Sequence, residues 1–149
     1  MKEKVPGAWQ GWVAANPNWK ISQDGQKMAD ILVDTSVWID FLRTGNPELE
    51  GLLNKNRVVT HPMIIGELAC GNLKKRKSLL KLWNSLNQLS QASHEEVLYF
   101  IERKSLMGRG VGYVDVHLLA SVALAANVSL WTHDKRLAQL ASNQALSWD

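Results

Sequence analysis

The stretch Ile31–Asp40, ILVDTSVWID, constrains this chain more than any other. Three apolar residues run into an aspartate, two hydroxyl residues come next, and apolar residues then recur at helical spacing. A strand covered on both faces reads as such an uninterrupted apolar run. Its carboxyl end is a costly place for a charge without partners. In open α/β sheets that edge is also where ligands bind. A parallel sheet is therefore expected, with Asp34 on its working edge.

The chain beyond it alternates between helical and strand patterns. Val37–Leu42 reads as a helix with Thr35 or Ser36 as its cap, and Thr44-Gly45-Asn46-Pro47 breaks it. A second short helix runs from Pro47 to Leu53, and Arg57–Thr60 is a short strand. Pro62 opens a helix that Gly71-Asn72 should end, and Lys74–Leu89 is amphipathic, with Leu79, Leu82, Trp83, Leu86 and Leu89 on one stripe. Leu89–Ala92 is expected to graze the sheet as a third strand. Ser93 should cap a helix over His94–Met107, with Glu95 and Glu96 at its positive end. The glycine-rich break Gly108–Gly112 lacks the lysine–serine pair of a phosphate-binding loop. Helix Val114–Ala126, strand Val128–Thr132, helix Asp134–Ala141 and an edge strand at Ala145–Trp148 complete the reading. Strands separated by helices predict a three-layer α/β/α fold around a central parallel sheet.

The 149 residues suit one domain, burying roughly two-thirds of the unfolded chain's surface. The net charge of +3 is uneven, because Lys2, Lys4, Lys20 and Lys27 face only Glu3 and Asp24 within residues 1–27. The rest is close to neutral, so bulk charge does not mark a nucleic-acid binder. The single cysteine, Cys70, excludes an internal disulfide and a multi-cysteine zinc site and fits a reducing cytoplasm. It is expected to be a small buried helix residue. No apolar run reaches membrane-spanning length and no signal-peptide core is visible, so a cytoplasmic protein is expected.

Residues 1–27 differ from the rest of the chain: prolines and glycines break any periodicity, and Trp9, Trp12 and Trp19 crowd together. Met28 then stands where an initiator would. The expected division is an N-terminal extension or expression-derived segment over 1–27 and a domain over 28–149. The competing reading is a partner-binding arm with tryptophan anchors.

Four acidic residues fall where a doubly wound sheet brings strand ends and helix starts together: Asp34, Glu67, Asp115 and Asp134. Asp115 and Asp134 also sit where aspartates cap helices, and Glu67 also reads as a solvated helix residue. Clustered carboxylates repel one another and take up protons unless a cation joins them. Mg²⁺ and Mn²⁺ suit an all-oxygen set, and such ions assist phosphodiester hydrolysis through activated water. Thr35 and Ser36 are candidates to orient a carboxylate or water there, besides capping.

VDTSVWIDFLR, HPMIIGELACGN, GYVDVHLLASVAL and LWTHDKRLAQLA, in this order and spacing, resemble the PIN-domain proteins, and within them the VapC-type toxins of bacterial toxin–antitoxin pairs. The resemblance covers Met28 to Trp148. It implies a Mg²⁺- or Mn²⁺-dependent endoribonuclease with Asp34, Glu67, Asp115 and Asp134 as its acidic quartet, assisted by Thr35 or Ser36. Cleavage would leave a 5′-phosphate and a 3′-hydroxyl. It further implies a homodimer inhibited by a cognate VapB-type antitoxin, whose C-terminal segment occupies the acidic site. It implies nothing for residues 1–27.

Lys74, Lys75, Arg76 and Lys77 form the one basic run, read either as a solvated helix face or as a contact for RNA phosphates, with Arg43 and Arg109 as further RNA candidates. Trp38, Trp83 and Trp131 read as core, and His61, His94, His117 and His133 as hydrogen-bonded structural histidines. Two rivals stand beside the nuclease. One is a non-catalytic binding module whose acidic pocket receives an antitoxin peptide for transcriptional control. The other is a receiver-like phosphoacceptor, for which the acidic pair on the first strand is missing.

Overall fold

The computed structural model describes residues 29–148, and the expectations for residues 1–27 lie outside them. Four parallel strands, β1 (Asp30–Val33), β2 (Val58–Thr60), β3 (Asn87–Gln88) and β4 (Val128–Trp131), form one sheet in the order β3-β2-β1-β4. Helices α1 (Thr35–Thr44) and α2 (Pro47–Asn54) join β1 to β2, and α3 (Pro62–Ala69) and α4 (Arg76–Ser85) join β2 to β3. Helices α5 (His94–Lys104) and α6 (Tyr113–Leu124) carry the chain back across the sheet to β4, and α7 (Lys135–Asn143) comes last. Right-handed crossovers put α1–α4 on one face and α5–α6 on the other, giving three layers. The fold is the predicted α/β/α arrangement.

Burial explains the central strand. Ile31, Leu32 and Val33 are fully buried, with Leu32 in register between Val59 and Leu130. Trp38 of α1 packs edge-on against Trp83 of α4 and Phe41, each at 5.8 Å between centroids. Both indoles are fully buried, as their apolar spacing predicts, and aromatic pairs of this geometry add roughly 0.5–1.5 kcal/mol beyond area burial. Helix α6 is buried almost all round, from Val116 to Val122. Polar punctuation sets the ends. Asn46 accepts a hydrogen bond from the Leu49 amide ahead of Pro47, and Ser93 and Glu96 form a reciprocal capping box on α5.

Several local expectations need correction. The third strand is Asn87–Gln88 rather than Leu89–Ala92, and both of its residues are exposed, so no apolar pattern marks it. Helix α4 begins at Arg76 and ends at Ser85, because Lys75 adopts a left-handed φ of 55° and breaks the pattern drawn through Lys74. The basic run is therefore split between a turn and a helix start. Cys70 is exposed at the C-cap of α3, not buried. The edge strand at Ala145–Trp148 reduces to a bridge between Leu130 and Ser147, flanked by hydrogen bonds from the Leu130 amide to the Leu146 carbonyl and from the Trp148 amide to the Leu130 carbonyl. Trp131 is only half-buried. Among the described residues no helix is long and apolar enough to cross a membrane.

Candidate functional site

The chain leaves β1 for β2 in one direction, while β4 lies on β1's other side, so the switch point is the crevice between the ends of β1 and β4. Asp34 stands there, only 6% exposed. It is the N-cap residue of α1, yet its carboxylate accepts no backbone amide of that helix. Its Oδ2 instead accepts from the Thr132 hydroxyl at 2.7 Å and the Ser36 hydroxyl at 3.0 Å. The backbone reinforces the junction, because the Asp34 amide donates to the Trp131 carbonyl at 2.9 Å. Thr35 and Ser36 do not cap α1 as anticipated; they form its first turn and turn their hydroxyls to carboxylates. Thr35 donates to Glu67 Oε1 at 3.0 Å, which brings α3 to the start of α1.

Asp134 opens α7 as its N-cap, with Oδ1 accepting from the Arg136 and Leu137 amides at 2.9 and 3.0 Å. Its own amide donates to Thr132 Oγ1, the hydroxyl that also serves Asp34. Asp115 lies in the first turn of α6, but Gly112 is the N-cap there, so Asp115 is not a cap. Burial, and then the charges of Asp34, Asp134 and Glu67, raise the Asp115 carboxyl from the usual 3.8 to about 6, against a hydrogen bond with the Gly112 backbone. The three like charges that Asp115 feels are the other members of the quartet. Asp34, Glu67 and Asp134, from the end of β1, α3 and the turn after β4, thus lie within electrostatic reach of Asp115 on α6.

The packing is open rather than clenched. Among the described residues no three acidic, histidine or cysteine side chains come close enough to enclose a bare ion. The donor chemistry nevertheless fits a hydrated hard cation. Mg²⁺ keeps several waters and takes only one or two carboxylates directly. A carboxyl raised to about 6 by burial and then by three anionic neighbours is one that an incoming cation would help to ionise.

The basic candidates divide. Arg43 and Lys74 line an open groove of about 660 Å³ with Ile39, Leu42, Leu73 and Leu79. Arg43 is eight residues beyond Thr35 on α1, about 12 Å along the axis. Lys75, Arg76 and Lys77 are exposed, and the Arg76 guanidinium donates to the Gly71 carbonyl. Arg109 is nearer the acids in sequence, in the loop before α6, and its Nε donates to the Ser105 carbonyl. That loop reaches α7, where Arg136 Nη1 donates to the Gly110 carbonyl.

The histidines are less uniform than expected. His61 is fully buried; Nδ1 accepts from the Met63 amide and Nε2 meets the Ser121 hydroxyl at 3.1 Å. His117, 4% exposed and edge-on to His61, has no hydrogen-bond partner at either ring nitrogen. Burial lowers the pKa of both, with the His117 charge adding for His61 and the His94 charge for His117. His94 meets the Tyr113 hydroxyl at 2.8 Å, and His133 pairs with Asp40. Thr132 was missed in the sequence although it touches Asp34. The signal is the register, since Val33 pairs with Trp131 and the next residues are then neighbours.

Comparison with known proteins agrees with the fold. The PIN domain profile matches residues 31–143. The chain is 49% identical over 107 residues to "Ribonuclease VapC32" of Mycobacterium tuberculosis, in strains H37Rv and CDC 1551, covering 72% of this chain and 86% of the relative. A profile that runs from β1 through α7 takes in every strand and all four acids, and this chain belongs to the PIN-domain family as a VapC-type protein.

Proposed function

We propose that the chain is an endoribonuclease and the toxin of a toxin–antitoxin pair, hydrolysing RNA phosphodiesters with Mg²⁺ or Mn²⁺ at the Asp34, Glu67, Asp115 and Asp134 quartet. The observation that carries the proposal is Asp34: a buried carboxylate at the switch point, held by two hydroxyls and within electrostatic reach of Asp115. A divalent ion bound there supplies Lewis-acid polarisation of the phosphodiester and acidifies water. The protein's own residues supply the geometry. Ser36 and Thr132 fix the plane of the Asp34 carboxylate, and Thr35 fixes that of Glu67. Asp134 is held by the α7 amides, and Asp115 gives up its proton when positive charge enters the site.

Arg109 is the nearest of the candidate phosphate contacts to the acids in sequence, with Arg43 and the Lys74–Lys77 run farther along the same molecule. Single-stranded or loop RNA suits an open edge, because its bases and phosphates are accessible. A VapB-type antitoxin is the partner, inhibiting by filling the acidic site, and the working unit is a homodimer in the cytoplasm. The test uses purified wild type and Asp34→Asn with total RNA and Mn²⁺, with and without chelator. Discrete fragments from wild type alone, abolished by chelator, are expected. Equal cleavage by both proteins would overturn the proposal.

A further inference from the structure

Helix α1 carries Ser36 and Asp40 one turn apart, and such residues share a helix face. Both grip one residue of the turn after β4. The His133 amide donates to Ser36 Oγ at 3.0 Å, and His133 Nδ1 lies 2.6 Å from Asp40 Oδ2. An ionised carboxylate only accepts, so the proton of that short hydrogen bond sits on Nδ1. The Trp131 ring stands edge-on to the imidazole at 6.3 Å. His133 is thus stapled to α1 at two points, through its backbone and its ring.

Its neighbours in the chain are Thr132, which donates to Asp34, and Asp134, a member of the acidic quartet. Ser36 closes the circuit by donating to Asp34 Oδ2. Thr132 and His133 are therefore tied to Asp34 and to α1, Asp134 is tied to Thr132 through its own amide, and the Asp40–His133 contact adds a second tie from His133 to α1. Nothing in the catalytic proposal uses it. We propose that Asp40 is a positioning residue of the acidic site, acting through His133 to hold Thr132 and Asp134 in register with Asp34. The inference rests on the metal-site reading above, and it adds a residue that touches neither ion nor RNA. Groups that orient ligands in this way are worth roughly ten- to a hundredfold in metal affinity.

The side chains of Asp40 and His133 are 49% and 40% exposed, so substitution there leaves the core untouched. The test is Mn²⁺ binding to the full chain without RNA, followed by the electron paramagnetic resonance signal of free Mn²⁺, for wild type, Asp40→Ala, Asp40→Asn, His133→Ala and the double alanine variant. Asp40→Ala and His133→Ala are each expected to weaken binding about tenfold, and the double variant no further. Asp40→Asn keeps an acceptor for Nδ1–H and should recover most of the affinity. Thermal unfolding of all variants should stay close to wild type. Wild-type binding with an unchanged affinity in Asp40→Ala would overturn the inference and leave the metal site standing. Additive losses in the double variant would also overturn it, because the two residues would then act separately. Absence of Mn²⁺ binding to wild type would overturn both readings.

Discussion

Asp115 offers a quantitative test of the acidic site. Its carboxyl is held at about 6 in the folded chain, against 3.8 when unperturbed. Half of the metal-free molecules then carry a proton at pH 6, and about nine in ten at pH 5. A cation that needs this carboxylate must displace that proton, so Mn²⁺ affinity should be flat above pH 7 and fall about tenfold between pH 7 and pH 5. A site of unperturbed aspartates would lose little affinity in that window. The stability consequence has the opposite sign to the usual carboxylate. The folded pKa is raised, so the folded state binds the proton more tightly, and that contribution is lost as pH rises through about 6. Above pH 7 Mn²⁺ should restore stability, by about 2.7 kcal/mol at a hundred times its Kd. The assay is Mn²⁺ titration at pH 5, 6, 7 and 8, with melting curves recorded with and without chelator. Asp115→Asn should bind more weakly with a flattened pH profile. A wild-type affinity that changes less than twofold from pH 7 to pH 5 would refute the account of Asp115 as a carboxyl crowded by three acids.

Other contacts lead to further outcomes. Thr132→Val removes a 2.7 Å donor from the nearly buried Asp34, leaving one hydroxyl; RNA cleavage should fall about tenfold, while the melting curve shows a cost of about 1–3 kcal/mol. His61 titrates near 4 instead of 6.5, so its neutral form favours the fold and that contribution is lost as pH falls below about 6.5; about 2 kcal/mol should go between pH 7 and pH 5, and His61→Asn, which can still cap α3, should abolish that slope in denaturant titrations. Gly110→Ala places a side chain at φ +79°, with its Cβ 2.7 Å from the Arg136 guanidinium; the flexible arginine can swing aside, so urea melts should show mainly the backbone cost of about 1–2 kcal/mol.

Much of the layer architecture was legible because buried parallel strands leave apolar runs, and ILV and VVT are unmistakable beside the helical stripes around them. Asp34 was legible for the same reason: a charge at the end of such a run needs an explanation. The helix starts at Ser93 and Pro62 were readable from capping chemistry, which is local. Register is not local. Nothing near Thr132 or His133 in the chain announces that they meet Ser36 and Asp40, because that pairing is created by β4 joining β1 after almost a hundred residues. Asn87–Gln88 joined the sheet with no apolar signature because it is an exposed edge. Lys75 left the helical pattern through a left-handed backbone angle that lysine does not advertise. Thr35 and Ser36 were read as caps or as hydroxyls that orient a carboxylate; each donates to a carboxylate, and Ser36 also accepts the His133 amide, but neither caps α1.

The bond from Thr132 to Asp34 joins residues 98 positions apart, and β1 has its partners in β2 and β4, never in a local hairpin. Contacts of such long sequence separation are slow to form, because loop-closure entropy is lost before they reward it. A ribosome releasing this chain therefore exposes Asp34 early but completes its surroundings only once β4 has emerged. A chain that stops short of β4, which begins at residue 128 of 149, has Asp34 but neither Thr132 nor Asp134 to stand beside it.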